Sequence, residues 1–334
     1  MSNKDKKFTG DRVRTEHDCS GMRIAVIGLG SMGLGMATTL LRCGAEVIGY
    51  DPKPEAINRL RDSGGTAAAS PGEAARNARV VVSVVVNADQ TEGVLFGDDG
   101  CVETMARDGV FISCATMAPE RARDLCRRTE ARGLHFLDAP ISGGSQRAAE
   151  GALTVLASGS EAARGRAAPA IDAMAETVYQ LGDEAGQAAA FKMVNQLLAG
   201  VHIAAASEAM VFAAREGLDL KQVYDVITRS AGNSWMFENR MPHVLDGDYT
   251  PRSAVSIFVK DLGIVMDMAR ESQFPVPIAG AALQMFLMSS SAGMAADDDA
   301  SVARLYAQMS GIDLPGMDGG ANPGTRAAGA KAAT

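Results

Sequence analysis

The chain has 334 residues, of which 47% are hydrophobic and 22% charged, a composition typical of a globular protein with room for two domains. A formal net charge of −8 and an aromatic content of 5% argue against nucleic-acid binding, which relies on basic surfaces and aromatic stacking. A long uncharged stretch, residues 274–296, contains two prolines and three consecutive serines, so we expect no membrane span there.

The N-terminal segment, residues 1–21, is charged and contains no apolar run. This pattern predicts a disordered leader rather than a secretory signal, and a cytoplasmic protein. The five cysteines include no CxxC pair and no zinc spacing, which favours reduced, buried thiols over a disulfide framework. The four histidines show no metal-ligand spacing either, so no metal ion is expected.

Short apolar runs alternate with helical patterns through the first half of the chain. Strands are predicted at residues 22–27, 45–50, 66–69, 80–86, 110–113 and 135–138, and helices at 30–44, 54–62 and 119–133. A further helix is expected after Ser70 and Pro71, because serine favours the N-cap and proline the first turn. This alternation predicts an α/β Rossmann-type doubly wound sheet of parallel strands over residues 22–181.

The composition of the chain changes near residue 182. Residues 186–216 are rich in Ala, Met, Val and Leu and contain no proline, which predicts a helix of about eight turns. Helical patterns continue to residue 311, so an all-α C-terminal domain is predicted over residues 182–311. Residues 312–334 are mostly small or polar and are expected to form a disordered tail.

A glycine-rich segment follows the first predicted strand and opens the next helix. It consists of Gly28, Leu29, Gly30, Ser31, Met32 and Gly33. Glycines in this G-x-G-x-x-G pattern allow a tight turn, close approach of the backbone to a pyrophosphate, and close helix packing. Asp51 ends the second predicted strand and could bind the ribose hydroxyls while repelling a 2′-phosphate, which favours NAD over NADP. The alternatives are a glycine turn without a ligand and a solvated Asp51.

Four motifs occur in order along the chain: GLGSMGLGMA from Gly28, DAPISGGSQRAAEGALT from Asp138, GQAAAFKMVNQ from Gly186 and KDLG from Lys260. On these motifs the chain resembles the β-hydroxyacid dehydrogenase family, which includes 3-hydroxyisobutyrate and tartronate-semialdehyde enzymes. The stretches FKMVNQLLAGVHIAAA, NSWMFENR and FVKDLGIV resemble its L-threonate dehydrogenase branch. The resemblance implies NAD-dependent oxidation of a small hydroxy acid.

Lys192 is the only charged residue in an apolar run of the long predicted helix. Burial and a second cation at Lys260 would both favour its neutral amine, which could take the proton of a substrate hydroxyl. The resemblance implies this catalytic role, and the alternative is a lysine whose stem covers apolar surface. Asn195 lies on the same helical face and could bind the substrate, or it could bond to the neighbouring domain. The family often has a second Asn where this chain has Gln196, whose role stays open.

The remaining site residues are predicted at the carboxyl edge of the sheet and in the KDLG motif. Ser142, Gly143 and Gly144 could hold a substrate carboxylate with a hydroxyl and backbone N–H groups, or form a plain turn. Thr116 matches the family position that contacts the nicotinamide half of NAD, although Ala115 replaces the serine often found beside it. Lys260 is implied by the resemblance to reach the cofactor, whereas alone it would be interpreted as a solvated lysine.

These residues together predict hydride transfer to NAD from a small hydroxy or sugar acid, with L-threonate favoured and Lys192 as general acid/base. The alternatives are 3-hydroxyisobutyrate oxidation, tartronate-semialdehyde reduction and a non-catalytic NAD-binding module. Trp235, with Phe237 and Arg240 nearby, could wall the substrate pocket or pack between helices. The resemblance implies a homodimer or homotetramer, and neither nucleic acid nor a membrane is expected as a partner.

Overall fold

The computed structural model describes residues 18–317. The chain divides into two compact units, the first ending at Lys192 and the second beginning at Met193. The sequence predicts this boundary between residues 181 and 182, before the long helix. The division instead falls inside that helix, because Ala185 and Ala189 near its start are packed into a hydrophobic cluster of the first unit.

The first unit is built on a parallel sheet. Its strands are β1 (Arg23–Ile27), β2 (Glu46–Tyr50), β3 (Thr66–Ala67), β4 (Val80–Ser83), β5 (Val110–Ser113) and β6 (His135–Asp138). They form a six-stranded sheet in the order β3-β2-β1-β4-β5-β6, and each neighbouring pair is parallel. The predicted doubly wound α/β sheet is confirmed, with the strand expected at residues 80–86 ending at Ser83.

Hydrophobic clusters cover both faces of this sheet. Ile24 and Val26 of β1 belong to one cluster, and Ala25 and Ile27 belong to the other. Successive side chains of a strand point to opposite faces, so a strand covered on both sides needs an unbroken apolar run. This is why the central strands could be recognised in the sequence.

Helices connect the strands of the first unit. They are α1 (Gly33–Arg42), α2 (Pro54–Asp62), α3 (Pro71–Ala74), α4 (Ala88–Phe96), α5 (Pro119–Glu130), α6 (Gly144–Glu150) and α7 (Glu161–Met174). Ser70 caps α3 as predicted, because its Oγ accepts a hydrogen bond from the N–H of Glu73 at 3.1 Å. The helix predicted at residues 119–133 ends earlier, at Glu130.

A second, smaller sheet follows the first and was not predicted from the sequence. Its strands are β7 (Ile141–Ser142), β8 (Leu153–Ala157) and β9 (Ala175–Gln180), in the order β7-β8-β9. Strand β7 pairs antiparallel with β8, and β8 pairs parallel with β9. The segment that was expected to hold a substrate carboxylate therefore begins inside a strand rather than in a free turn.

The second unit is helical, as predicted. Helix α8 (Gln187–Arg215) begins in the first unit and is followed by α9 (Leu220–Ile227), α10 (Trp235–Asp246), α11 (Val255–Glu271), α12 (Pro277–Ser289) and α13 (Val302–Ser310). A π-helical turn (Ser290–Met294) and a 3-10 turn (Asp299–Ser301) separate the last two. Within the described residues, α8 alone is long and apolar enough to cross a membrane by length and composition, and 44% of its most apolar window is buried.

The structure describes a few residues at each end that the sequence predicts to belong to the disordered leader or tail. Residues 1–17 and 318–334, where most of the predicted leader and tail lie, are outside the described residues. Cys19, expected in the leader, is buried and its N–H donates to the carbonyl of Cys43 at 2.8 Å. Leu314, expected in the tail, is buried in a cluster of the second unit. Both limits were wrong because these apolar side chains have a core to enter.

Candidate active site

Two positions of the loop between β1 and α1 require glycine, Gly28 because of its backbone conformation and both Gly28 and Gly33 because a Cβ would clash. Gly28 has a φ of +90°, and a Cβ there would lie 2.5 Å from the carbonyl oxygen of Val84. A Cβ on Gly33 would lie 1.9 Å from the carbonyl oxygen of Gly28. The two glycines therefore let the loop turn tightly against β4 and let α1 start directly on the strand end.

Gly30 has the opposite surroundings, because it is exposed and a Cβ there would meet nothing within 4 Å. The first helical hydrogen bond runs from Leu34 N–H to the carbonyl of Gly30 at 3.1 Å. Within residues 18–317, the amides of Ser31, Met32 and Gly33 donate to no protein acceptor. A helix start with free N–H groups and no side chain above it fits the pyrophosphate of a dinucleotide.

Asp51 is held against this loop. One carboxylate oxygen, Oδ2, accepts a hydrogen bond from Leu29 N–H at 2.8 Å, and Oδ1 accepts one from Lys53 N–H at 2.9 Å. Each oxygen of a carboxylate can accept a further bond, so both can also receive ribose hydroxyls. The sequence predicted this carboxylate at this place, and the hydrogen bond to Leu29 connects it directly to the glycine loop.

Thr116 lies just after β5, at the same carboxyl edge of the parallel sheet as Gly28. It is half-buried, whereas the preceding Ala115 is buried. The carboxyl edge is where doubly wound sheets bind their ligands. The position of Thr116 is therefore compatible with its predicted contact to the cofactor.

Lys192 is 7% exposed and lies in α8, in the part of that helix that belongs to the first unit. Its Nζ donates a hydrogen bond to the carbonyl oxygen of Ile141 at 2.9 Å. Ile141 immediately precedes Ser142, so the structure brings the predicted acid/base and the predicted carboxylate-binding segment together.

Two consecutive glycines follow Ser142. Gly143 has a φ of +134° and Gly144 a φ of +80°, conformations that side chains rarely adopt. Gly144 is exposed, and a Cβ there would meet nothing within 4 Å. The backbone of this segment is therefore open at Gly144. Gly144 follows Ile141, whose carbonyl binds Lys192, by three residues.

Asp138, at the end of β6, is a buried carboxylate to which the sequence analysis gave no role. Its Oδ2 accepts hydrogen bonds from Gly186 N–H and Ala189 N–H, both at 2.9 Å, and one from the Ser158 hydroxyl at 3.2 Å. Burial raises the pKa of Asp138 to about 6, against the effect of these hydrogen bonds. Asp138 thus fixes the start of the helix that carries Lys192. In the sequence, the signal that could have identified Asp138 is an acidic residue at the end of an apolar strand.

In the second unit, two predicted residues belong to one chain of hydrogen bonds. Asn195 Nδ2 donates to Gln196 Oε1 at 2.9 Å, and Gln196 Nε2 donates to Asp261 Oδ2 at 2.5 Å. The other oxygen of Asp261, Oδ1, lies 2.5 Å from Lys260 Nζ. Gln196 and Asp261 are buried, and Asn195 is exposed. The structure therefore links Asn195 to Lys260 through two residues that the sequence analysis left without a role.

The segment around Trp235 has mixed surroundings. Phe237 is buried and stacks on Tyr224, with ring centroids 6.0 Å apart. Arg240 forms an ion pair with the buried Asp299 at 2.6 Å. These two residues serve packing within the second unit, whereas Trp235 is 57% exposed at the first position of α10.

Within residues 18–317, no group of three or more His, Cys, Asp or Glu side chains could hold a metal ion. The five thiols are free, and burial raises the pKa of Cys101 and Cys114 to about 12. The thiols of Cys101 and Cys114 are therefore poor nucleophiles.

The sequence of the chain matches known dehydrogenases over most of its length. Residues 23–182 match the model of the NAD-binding domain of 6-phosphogluconate dehydrogenase, and residues 186–306 match the model described as NAD-binding of NADP-dependent 3-hydroxyisobutyrate dehydrogenase. An L-threonate dehydrogenase of Cupriavidus necator is 52% identical over 293 residues, which cover 88% of this chain and 98% of that protein. One of Escherichia coli is 45% identical over 298 residues, covering 89% and 98%. A crystal structure described as 3-hydroxyisobutyrate dehydrogenase from Salmonella typhimurium has a TM-score of 0.81 and 48% identity, covering 85% and 99%.

Proposed function

Since the chain belongs to the family of NAD-dependent hydroxyacid dehydrogenases, we propose that it oxidises L-threonate at the C2 hydroxyl to 2-oxo-tetronate. The observation that carries the proposed chemistry is the buried Lys192, whose Nζ lies 2.9 Å from the carbonyl of the residue before Ser142. The choice of L-threonate is supported by relatives that are 45–52% identical over most of their length.

In the proposed reaction, Lys192 in its neutral form takes the proton of the C2 hydroxyl while the hydride on C2 leaves for the cofactor. NAD, when bound, supplies the hydride acceptor. Ser142, Gly143 and Gly144 are proposed to hold the carboxylate of the acid, and Asn195 is proposed to bind the substrate as well. The Ile141 carbonyl accepts a hydrogen bond from Nζ and so restricts where Nζ can lie.

The cofactor roles are assigned to the loop and to three further residues. The loop amides of Ser31, Met32 and Gly33 would hold the pyrophosphate, and Asp51 would accept hydrogen bonds from the ribose hydroxyls. Thr116 and Lys260 are each proposed to contact the cofactor as well. The fixed charge of Asp51 supports NAD over NADP, because a 2′-phosphate would meet a carboxylate. Wild-type enzyme should therefore prefer NAD, and Asp51→Ala should reduce that preference. Equal use of both cofactors by the wild type would contradict the role given to Asp51.

Lys192→Ala tests the acid/base assignment. Turnover should fall by about 10²- to 10⁴-fold, the usual contribution of a positioned acid/base, while NAD affinity measured by titration stays close to wild type. Lys221→Ala, at an exposed position of α9, is the matched control and should keep full turnover. Turnover near the wild-type rate in the Lys192→Ala variant would end the assignment.

A second candidate function is oxidation of 3-hydroxyisobutyrate, which the description of the 48% identical structure from S. typhimurium favours. NADH release should be measured on L-threonate, 3-hydroxyisobutyrate and other hydroxy acids at a fixed NAD concentration, and NADH consumption on tartronate semialdehyde. Turnover of 3-hydroxyisobutyrate without turnover of L-threonate would replace the first candidate by the second. Tight NAD binding without turnover on any acid would favour a non-catalytic module.

The assembly is proposed to be a homodimer or homotetramer in the cytoplasm. Val194, Leu198 and Phe212 are 63%, 49% and 65% exposed and recur on α8 at intervals of four and fourteen residues, which puts them on one face. A second copy of the chain would cover this apolar face. Light scattering should give at least twice the 34.7 kDa mass of one chain, and a monomer mass would contradict the proposal.

A further inference from the structure

In the chain of hydrogen bonds from Asn195 through Gln196 to Asp261, the carboxylate of Asp261 determines which groups donate and which accept. An ionised carboxylate can only accept hydrogen bonds, so Gln196 must turn its NH₂ group toward Asp261. The carbonyl of Gln196 then faces Asn195, which must present its own NH₂ group. Because Nδ2 is turned toward Gln196, the side-chain carbonyl of Asn195, Oδ1, is turned away from Gln196.

We propose that Gln196 and Asp261 are positioning residues that fix the Asn195 side chain with Oδ1 as a hydrogen-bond acceptor for a non-reacting hydroxyl of the substrate. This inference rests on the proposed function, since it names the feature of the acid that the site selects. An acid with hydroxyls beyond the one oxidised is favoured over an acid with a hydrogen atom in that place.

The length of Gln196 and the charge of Asp261 are both needed for this arrangement. An asparagine at position 196, as the family often has, is one methylene shorter than Gln196, whose side chain contacts both Asn195 and Asp261. On the other side Lys260 Nζ lies 2.5 Å from Oδ1 of Asp261, which is 1% exposed, so the buried carboxylate is paired with a cation. The departure of this chain from the family pattern is thus explained by a contact of Gln196.

The test compares L-threonate with its two deoxy analogues, 2,4-dihydroxybutyrate and 2,3-dihydroxybutyrate, each of which lacks one non-reacting hydroxyl. Wild-type kcat/KM should favour L-threonate over at least one analogue by about tenfold, the effect of one lost hydrogen bond at an accessible site. Gln196→Ala and Gln196→Asn should lose that preference, mainly through a higher KM for L-threonate. Gln308→Ala, at an exposed position of α13, is the matched control and should retain it.

Asp261→Asn is the sharper variant, because it keeps the shape of the side chain and removes the accept-only end. The Gln196 amide can then reverse, so the preference for L-threonate should again fall by about tenfold. Asp267→Asn, exposed on the same helix α11, should keep the preference. The Gln196→Ala and Asp261→Asn effects should not add in the double variant, since both act through Asn195.

A purely structural role gives a different result. Equal losses of kcat/KM on L-threonate and both analogues, in parallel with a lower melting temperature, would overturn the inference, as would an unchanged preference in both variants. Failure of the wild type to oxidise L-threonate counts against the proposed function. A reactive wild type whose variants retain its preference counts against this inference alone.

Discussion

Replacing Asp138 by asparagine should change how the stability of the protein depends on pH. The carboxyl group is 1% exposed, and burial raises its pKa from an ordinary value of 3.8 to about 6. This difference corresponds to about 3 kcal/mol between the protonated and the ionised form in the folded chain. The hydrogen bonds from Ala189, Gly186 and Ser158 act in the opposite direction, and burial outweighs them.

The sign of the effect follows from which state releases its proton first. Below about pH 4 the carboxyl is protonated in the folded and the unfolded chain, and folding carries no penalty for burying charge. Between about pH 4 and pH 6 the unfolded chain ionises first, so the wild-type free energy of unfolding falls as the pH rises. Asparagine does not titrate, so the free energy of unfolding of Asp138→Asn minus that of the wild type should rise by about 3 kcal/mol over this window.

The assay is urea unfolding followed by far-ultraviolet circular dichroism at several pH values from about 4 to about 7.5. Asp299, whose pKa burial also raises to about 6, contributes the same slope to both proteins and cancels in their difference. Fluorescence of Trp235 reports on the second unit, where the substitution should have no effect. Asp98→Asn, at an exposed position, is the control. A difference between Asp138→Asn and wild type that stays constant across the window would refute the reasoning.

The remaining predictions concern one ion pair and one loop. Arg240→Ala leaves Asp299 buried without its partner and should lower the free energy of unfolding by about 3–5 kcal/mol near neutral pH, and by less below about pH 6, where the carboxyl takes up a proton. A loss that does not depend on pH, in urea melts followed by fluorescence, would contradict this mechanism. Gly30→Ala should leave the melting temperature unchanged but weaken NAD binding about tenfold or more in titrations, because its methyl group enters the open space above the loop. Gly33→Ala should lower the melting temperature itself, since its methyl group meets the carbonyl of Gly28. The free energy of unfolding should fall by an overpacking cost of about 1–3 kcal/mol or more.

The main sheet could be predicted because its signals are local. Strands covered on both faces require unbroken apolar runs, and β5 and β6 were predicted with the bounds that the structure has. The second sheet carries no such signal. Strand β7 is two residues long, and β9 is mostly half-buried or exposed, so neither has a recognisable period. Helix α7 was missed for a related reason, because Pro169 lies inside it and proline normally indicates a helix end.

The contacts of the candidate site were less predictable than its residues. The motifs identified Lys192, but its partner is the backbone carbonyl of Ile141, and a backbone group leaves no mark in the sequence. The order of residues along the chain does not show that the two-residue strand β7 brings this carbonyl to α8. For the same reason Asn195 could be predicted as a substrate ligand, while the orientation of its amide depends on a carboxylate 65 residues beyond Gln196.

The two buried carboxylates of Asp138 and Asp261 have a common physical role, and both residues belong to the sequence motifs. Asp138 opens the motif that holds Ser142, and Asp261 follows Lys260 in the KDLG motif. Each carboxylate only accepts hydrogen bonds, so each determines which donors can surround it and thereby positions a neighbouring residue that we propose to bind the ligand. Polar atoms that bind a ligand must stay exposed and would otherwise be free to reorient. An acidic residue beside the ligand-binding residue supplies the buried, directional partner that prevents this, which is a physical reason for aspartate to occur at these two positions.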